Sequence, residues 1–434
     1  MKALFQFYGS VRSGDGIGIM RKTKIIAVVV LCLVLPVPVE AQQGNNLAYY
    51  INSALKNSPV LNDYRNQCYS AKIDSMETVS SYGLKVTGIG DAMSAPVIHG
   101  WGYDTALSNG QDVTAVIRVS KELPGRAEMK ARMTGSSLLV KQLYNRTEIT
   151  GKEISRTVTD QYIKTYAAQC EYENSLEIVD LLEKEDTLLR ELTRKAVFKQ
   201  TDYLSFVVAL QQNRLISHQL HAGWLEDYSI LNHLSGIADT TLEMLAPPSI
   251  SAGRILPYGQ SIYARSYETD SLELENGAKI INCGYRPGLS LYAESGYSSS
   301  FMKSPYKNFG ADAGLSLTIP IYDGGRRKKL LRQNLLKQDT RQRYNDFRKN
   351  QYMQQAADIE RRICEYRSMK TEAMEQLHYS HVLIDANLRQ LPTGDISITD
   401  FIMAIKNHIG LESGIIQINT VLYSLYDRQN NLTL

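Results

Sequence analysis

The sequence predicts an α+β chain made mostly of long α-helices, with a helix–strand–strand–long helix–helix unit occurring twice and four β-strands in all. Three observations carry this. Two long stretches contain no proline, four short segments alternate apolar with polar residues, and the second half of the chain repeats landmarks of the first.

Proline is absent between Pro124 and Pro247 and again between Pro320 and Pro392. Because proline breaks helix interiors, very long helices are permitted there. Leu, Glu, Lys, Arg and Gln, all good helix formers, dominate both stretches. Ile154, Val158, Tyr162 and Tyr166 recur every fourth residue, and Ile178, Leu181, Leu182, Leu188, Leu189 and Leu192 continue a stripe of helical spacing.

Each long helix follows an alternating segment, Val113 to Ser120 in one case and Leu315 to Ile321 in the other. Leu84-Lys85-Val86-Thr87 and Leu289 to Glu294 supply two more strands. Ile117, Val119, Gly125 and Arg126 correspond to Leu317, Ile319, Gly325 and Arg326 at an offset of about 200 residues. Thr201 to Leu204 then matches Thr399 to Ile402, and Tyr228, Asn232 and Leu234 match Tyr426, Asn430 and Leu432. Matches in constant order make the chain a duplication. The halves run over residues 42–246 and 261–434, joined by a linker at 247–260, and the stop at Leu434 leaves little room for a further domain.

At 1.5 Å per residue the helices Pro124 to Ala196 and Gly324 to Leu391 span roughly 105 and 100 Å, and those from Asn46 to Ser81 and from Asp202 to Gly236 roughly half that. Two half-length helices stacked end to end can therefore flank one long one. The strands, about ten residues each, suit a tilted crossing of a bilayer. Four cannot close a barrel, since the smallest have about eight strands. An open edge in lipid costs several kcal/mol per unpaired backbone group, so other copies must complete the sheet.

The N-terminus reads as an export signal over residues 1–41, with its true start at Met20. Arg21, Lys22 and Lys24 precede an apolar run, Ile25 to Leu35, and Val39-Glu40-Ala41 ends in the small-x-small form of a cleavage site. Val30-Leu31 ahead of Cys32 is a poor context for lipid attachment. No later run is long and apolar enough for a membrane helix, so any span must be made of strands. The formal charge of +3 on 434 residues points to no nucleic-acid partner. Cys68, Cys170, Cys283 and Cys364 have no metal spacing and read as buried small apolar residues.

Whole-chain order and several motifs resemble the TolC family of outer-membrane efflux proteins. The most specific piece runs from Gly314 to Arg327, through Pro320-Ile321-Tyr322-Asp323-Gly324-Gly325. Ala54-Leu55-Lys56-Asn57-Ser58-Pro59 is similar to the family's early Ala-Leu-x-x-x-Pro element, and Gly394 to Phe401 to its periplasmic turn. The resemblance implies a homotrimer with a twelve-stranded barrel in the outer membrane above a helical periplasmic tunnel. It also implies docking to a periplasmic adaptor and an inner-membrane pump, as in tripartite efflux or type I secretion. The first repeat departs from the pattern, reading Lys121-Glu122-Leu123-Pro124-Gly125 at its junction and Phe198 to Asp202, without glycine, at its turn.

Odd-numbered strand positions are expected to meet lipid and even ones the lumen, with Lys85, Arg118 and Glu294 directed into the bore, because a charge facing mid-membrane lipid costs about 2–4 kcal/mol. Pro124, Gly125, Pro320, Asp323, Gly324 and Gly325 form the strand-to-helix junctions, where Asp323 can cap exposed N–H groups and glycine tolerates unusual dihedrals. Arg326-Arg327-Lys328-Lys329 fits headgroups, a tunnel lining or a solvated face equally. Thr201, Asp202, Gly394, Asp395, Thr399 and Asp400 are the candidates for the periplasmic mouth. Acidic residues there suit a constriction, as the resemblance implies, or equally helix caps at Thr201, Asp202, Thr399 or Asp400. His218 with His221, and His378 with His381, are i, i+3 pairs without a carboxylate or cysteine at matching spacing, so no metal site is expected. No catalytic motif or cofactor loop stands out, so neither catalysis nor a cofactor is expected. The reading from another class is a periplasmic or surface helical partner-binding protein that spans nothing; it leaves the four alternating strands without a purpose.

Overall fold

A computed structural model describes residues 46–104, 110–300 and 305–432. The expected export signal and Cys32 lie outside these residues. Along the chain run α1 (Leu47–Asn57), α2 (Pro59–Ser80), β1 (Lys85–Ser94), β2 (Gln111–Leu123), α3 (Arg126–Arg194) and α4 (Gln200–Ser235). The second half supplies α5 (Ile262–Cys283), β3 (Gly288–Ser299), β4 (Phe309–Thr318), α6 (Arg326–Gln390) and α7 (Ile398–Asn430).

The 69 residues of α3 and the 65 of α6 are each about 100 Å long. Shorter helices flank them. Cys68 and Ala71 of α2 pack on Leu143 of α3, while α4 packs on the distal half of the same helix. The joint between α4 and the leading helices is closed by Asn57, whose Nδ2 donates to the carbonyls of Ser235 (3.4 Å) and Gly236 (2.9 Å). Gly236 takes φ 64° there, ending α4 in a left-handed cap. The same plan recurs around α6: Asn334 of α6 donates to the Leu274 carbonyl of α5, and α7 covers the distal half.

One expected helix is two. Asn46 to Ser81 is interrupted at Ser58, whose ψ of 116° is forced by the following proline. Ser58 accepts from the Leu61 N–H, and Pro59 opens α2. The strand of the second junction is also shorter at its end than its alternation suggested, stopping at Thr318, because Pro320 has no N–H to give a ladder.

The linker and the residues just before it pack along the helices. Tyr162 Oη donates to the Ala246 carbonyl (2.6 Å), Gln169 Oε1 accepts from the Leu245 N–H (2.8 Å), and Tyr352 Oη donates to the Leu256 carbonyl (2.5 Å). Leu245 completes a core with Tyr50, Val158, Tyr162, Tyr228 and Leu231. No helix among the described residues is long and apolar enough to cross a membrane.

Candidate functional site

The four strands form one antiparallel sheet in the order β1-β2-β3-β4, leaving β1 and β4 as edges among the described residues. Side chains alternate along a strand, so the register decides which residues share a face. Arg118 stands opposite Thr87 on one side and Glu294 on the other, and Glu294 opposite Asp312. That face carries five carboxylates (Asp91, Asp112, Glu122, Glu294, Asp312) and two cations (Lys85, Arg118). The opposite face carries Val86, Ile117, Val119, Leu291, Leu315 and Leu317, and Lys121 as its one charge. Ile117 is 62% exposed and Leu315 70% exposed in the single chain, so this apolar surface has no cover of its own.

Lys85, Arg118 and Glu294 thus share the polar face, but the odd–even rule fails on β1. Lys85 is odd and pairs with even-numbered Ser120, whereas β2, β3 and β4 pair like with like. The lengths of the connections, not the numbering, set this phase. Arg118 forms an ion pair with Glu294 and sits 5.6 Å from the centroid of the Tyr292 ring. Tyr292 lies over Gly314 directly across the β3–β4 pair, filling the space a side chain would take. Lys85 Nζ reaches Glu122 at 3.2 Å. Alternation did not single out Tyr292 or the further carboxylates, because their partners lie on other strands and only the register brings them together.

At the far end of the helices the two interhelical turns meet. Gly394 has φ 77°, and a Cβ built there would lie 3.0 Å from Val197 Cγ1 of the other turn. Behind them is the largest core cluster, with Leu189, Phe206, Leu391, Ile398 and Phe401 all at or near zero exposure. Of the expected mouth residues, Asp202 accepts from the Thr201 hydroxyl (3.4 Å) and Asp395 from the Thr393 hydroxyl (2.6 Å). The caps are not where the sequence put them. Lys199 occupies the cap position of α4 without a side-chain bond, and Ser397 caps α7 by accepting from the Asp400 N–H (3.1 Å). Asp400 in turn accepts from the Ser397 hydroxyl at 2.7 Å, and Thr399 lies inside the first turn. A network that the sequence did not suggest braces the first turn of α4: Asp186 binds Arg190 (2.7 Å) and the Tyr203 hydroxyl (3.0 Å).

No protein-family model matches the chain, and no curated protein matches it in sequence. Solved structures do. It resembles CusC, described in terms of transmembrane channel formation, with TM-score 0.74 and 12% identity over 89% of this chain and 92% of that one. The outer membrane protein VceC of Vibrio cholerae follows at TM-score 0.73 and 12% identity, over 89% and 95%. The MtrE outer membrane channel of Neisseria gonorrhoeae, in its open state, gives TM-score 0.70 and 12% identity over 90% and 89%. The chain has the fold of an outer-membrane channel protomer.

Within this channel fold the two strand-to-helix junctions are built differently. Gly324 and Gly325 both have positive φ (63° and 76°), which only glycine adopts at little cost. Asp323 accepts from the N–H groups of Gly325 (2.8 Å) and Arg327 (2.6 Å), and the Arg327 bond above all holds its carboxyl below the usual range. Pro320 lies in the extended approach to this corner. The first junction turns at Pro124 and Gly125 with φ −62° and no side-chain cap. Arg327 of the basic run donates to Asn282 Oδ1 of α5 (2.8 Å), which fixes it against the wall.

The histidine pairs do not act as pairs. His221 packs against the rings of Tyr172 (4.8 Å) and Trp224 (6.0 Å), and His378 against Tyr379. The four cysteines are free thiols, with Cys68 and Cys283 buried and Cys170 half-buried. Cys364 is exposed, contrary to the expectation of burial.

Proposed function

We propose that this chain is the exit duct of an export system in the outer membrane of a Gram-negative cell, conducting passively while partners supply the energy. One observation carries the reading. A sheet with one apolar and one charged face, open at both edges, stands on helices of about 100 Å. Strands of 10 to 13 residues fit the thickness of a tilted crossing. An apolar face against lipid and a charged face against water is the pattern of a membrane barrel wall. The likeness to outer membrane channels over nearly the full chain supports the same reading.

On this reading three copies contribute four strands each to a twelve-stranded barrel, as the resemblance to the TolC family implies. Lys85, Arg118 and Glu294 line the bore, and α3, α4, α6 and α7 form the periplasmic tunnel. The paired turns at Val197 and Gly394 are the periplasmic mouth, where Asp202, Asp395 and Asp400 of three copies gather in a ring. A periplasmic adaptor and an inner-membrane pump are the partners, and the inner-membrane partner selects the substrate. The duct itself catalyses nothing.

Membrane fractionation combined with a gel run with and without heating tests the proposal. An outer-membrane species that migrates as a trimer until boiled is the expected result. A monomer recovered from the soluble periplasmic fraction would remove the duct and favour a helical partner-binding protein.

A further inference from the structure

We propose that His381, His408 and Glu412 form a site for one divalent transition-metal ion of the Zn²⁺ class, tying α6 to α7 next to the tip core. The three residues are 27 and 4 positions apart in sequence, and only the α6–α7 pairing assembles them. Their ligand atoms all lie within 4.8 Å of one another. His408 Nε2 stands 3.2 Å from Glu412 Oε1, one helical turn on. Two ligands on one tetrahedral Zn²⁺, with bonds of about 2.0–2.1 Å, stand about 3.3 Å apart, so this pair needs almost no movement. His381 is exposed, and its ring lies edge-on to His408 with centroids 4.5 Å apart. A ligand nitrogen of this imidazole already lies within 4.8 Å of those of the other two residues, within reach of a side-chain rotation.

The support behind the ligands fits the same purpose. Ser380 Oγ lies 3.2 Å from His408 Nδ1, in buried surroundings, which orients the ring and leaves Nε2 to face Glu412. The Glu412 carboxylate, with its side chain 17% exposed, gains a counter-charge from a bound cation. Two imidazoles and a carboxylate suit Zn²⁺ in hardness and number. Ile384 and Ile405, each three positions from a ligand, belong to the core behind the tip, so the ion would clamp the hairpin where that core begins.

Purified full-length chain, stripped with a chelator, is titrated with Zn²⁺, and separately with Co²⁺ while visible absorption is read. The expected results are one ion per chain, a Co²⁺ ligand-field band free of thiolate charge transfer, and a thermal midpoint that rises with Zn²⁺. His381→Ala, which removes an exposed group and leaves packing intact, is expected to weaken Zn²⁺ at least about tenfold and to abolish the thermal rise. Glu412→Gln is expected to do the same. Zn²⁺ held equally well by both variants, less than one ion per chain, or a sulfur-to-cobalt band marking cysteine ligation would each overturn the proposal.

Discussion

The two faces of the sheet can be separated by a pair of substitutions one residue apart. Ile117 lies near the middle of β2 on the apolar face, and Val116 on the charged face, opposite Gly296 of β3 and Ile89 of β1. Ile117→Arg places a guanidinium on the face proposed to meet lipid. At the bilayer midplane this costs about 2–4 kcal/mol per chain, or roughly 30- to 700-fold in the assembly equilibrium, and three chains multiply the cost. Val116→Arg adds the same charge to the water-lined face, next to a glycine and among five carboxylates, where a surface change is worth within about 0.5 kcal/mol. The assay is the fraction of heat-labile trimer in isolated outer membranes, with total protein as reference. Ile117→Arg is expected to deplete the trimer severely and Val116→Arg to leave it near the unsubstituted level. Equal tolerance of both would refute the assignment of faces, and the reverse order would invert it.

Other consequences are checked as directly. Asp427 is buried, with Oδ2 unpartnered, and burial followed by the nearby Asp160 pushes its carboxyl from 3.8 up to about 6. The folded chain therefore binds a proton more tightly than the unfolded one, so this group's contribution to stability is highest at low pH and is lost as pH rises from about 4 through about 6. Asp427→Asn is expected to match the parent near pH 4 and to exceed it by about 3 kcal/mol at pH 7.5, at 1.36 kcal/mol per unit, read from thermal midpoints; a lower midpoint at pH 7.5 would refute this. Gly394→Ala forces a left-handed φ on alanine and a 3.0 Å approach to Val197, and is expected to cost about 1–2 kcal/mol, part of it recovered in the double variant with Val197→Ala. Five carboxylates against two cations on the charged face predict cation preference, read as a reversal potential across a planar bilayer; Asp312→Asn is expected to reduce it and anion preference would contradict it.

The long helices were legible because their cause is local and repeated: good helix formers, a recurring stripe and no proline over 120 residues. The strands were legible as alternation, but their mutual phase was not. The cost of a charge in lipid put Lys85 with Arg118, but the odd–even numbering did not; the Lys85–Ser120 register depends on a connection whose length numbering does not interpret. Glycines at 324, 325 and 394 announced their corners because positive φ leaves few alternatives. Tyr292 over Gly314, Asp186 beneath Tyr203 and the His381–His408–Glu412 group stayed hidden for one reason. Each is completed by a meeting of elements whose pairing no local pattern specifies; of the last group only the His408–Glu412 spacing, four apart on one helix, is local.

If the sheet enters the membrane as proposed, its edges explain why one chain is insufficient. β1 and β4 each expose alternate backbone N–H and C=O groups along ten residues, on the order of ten unpaired groups per edge. In water these are solvated and cost little. In hydrocarbon each costs several kcal/mol, which for two edges far exceeds the 5–15 kcal/mol by which a typical domain is stable. An isolated protomer is therefore tolerable only outside the membrane, and insertion and assembly must be coupled. An up-and-down sheet with an even number of strands ends on an edge antiparallel to the one it began on, so β4 of one copy can continue into β1 of the next without breaking the alternation. That contact is head-to-tail, and such contacts close into rings. A chain arrested as a monomer in the membrane, with its strands formed and its edges bare, would contradict this coupling.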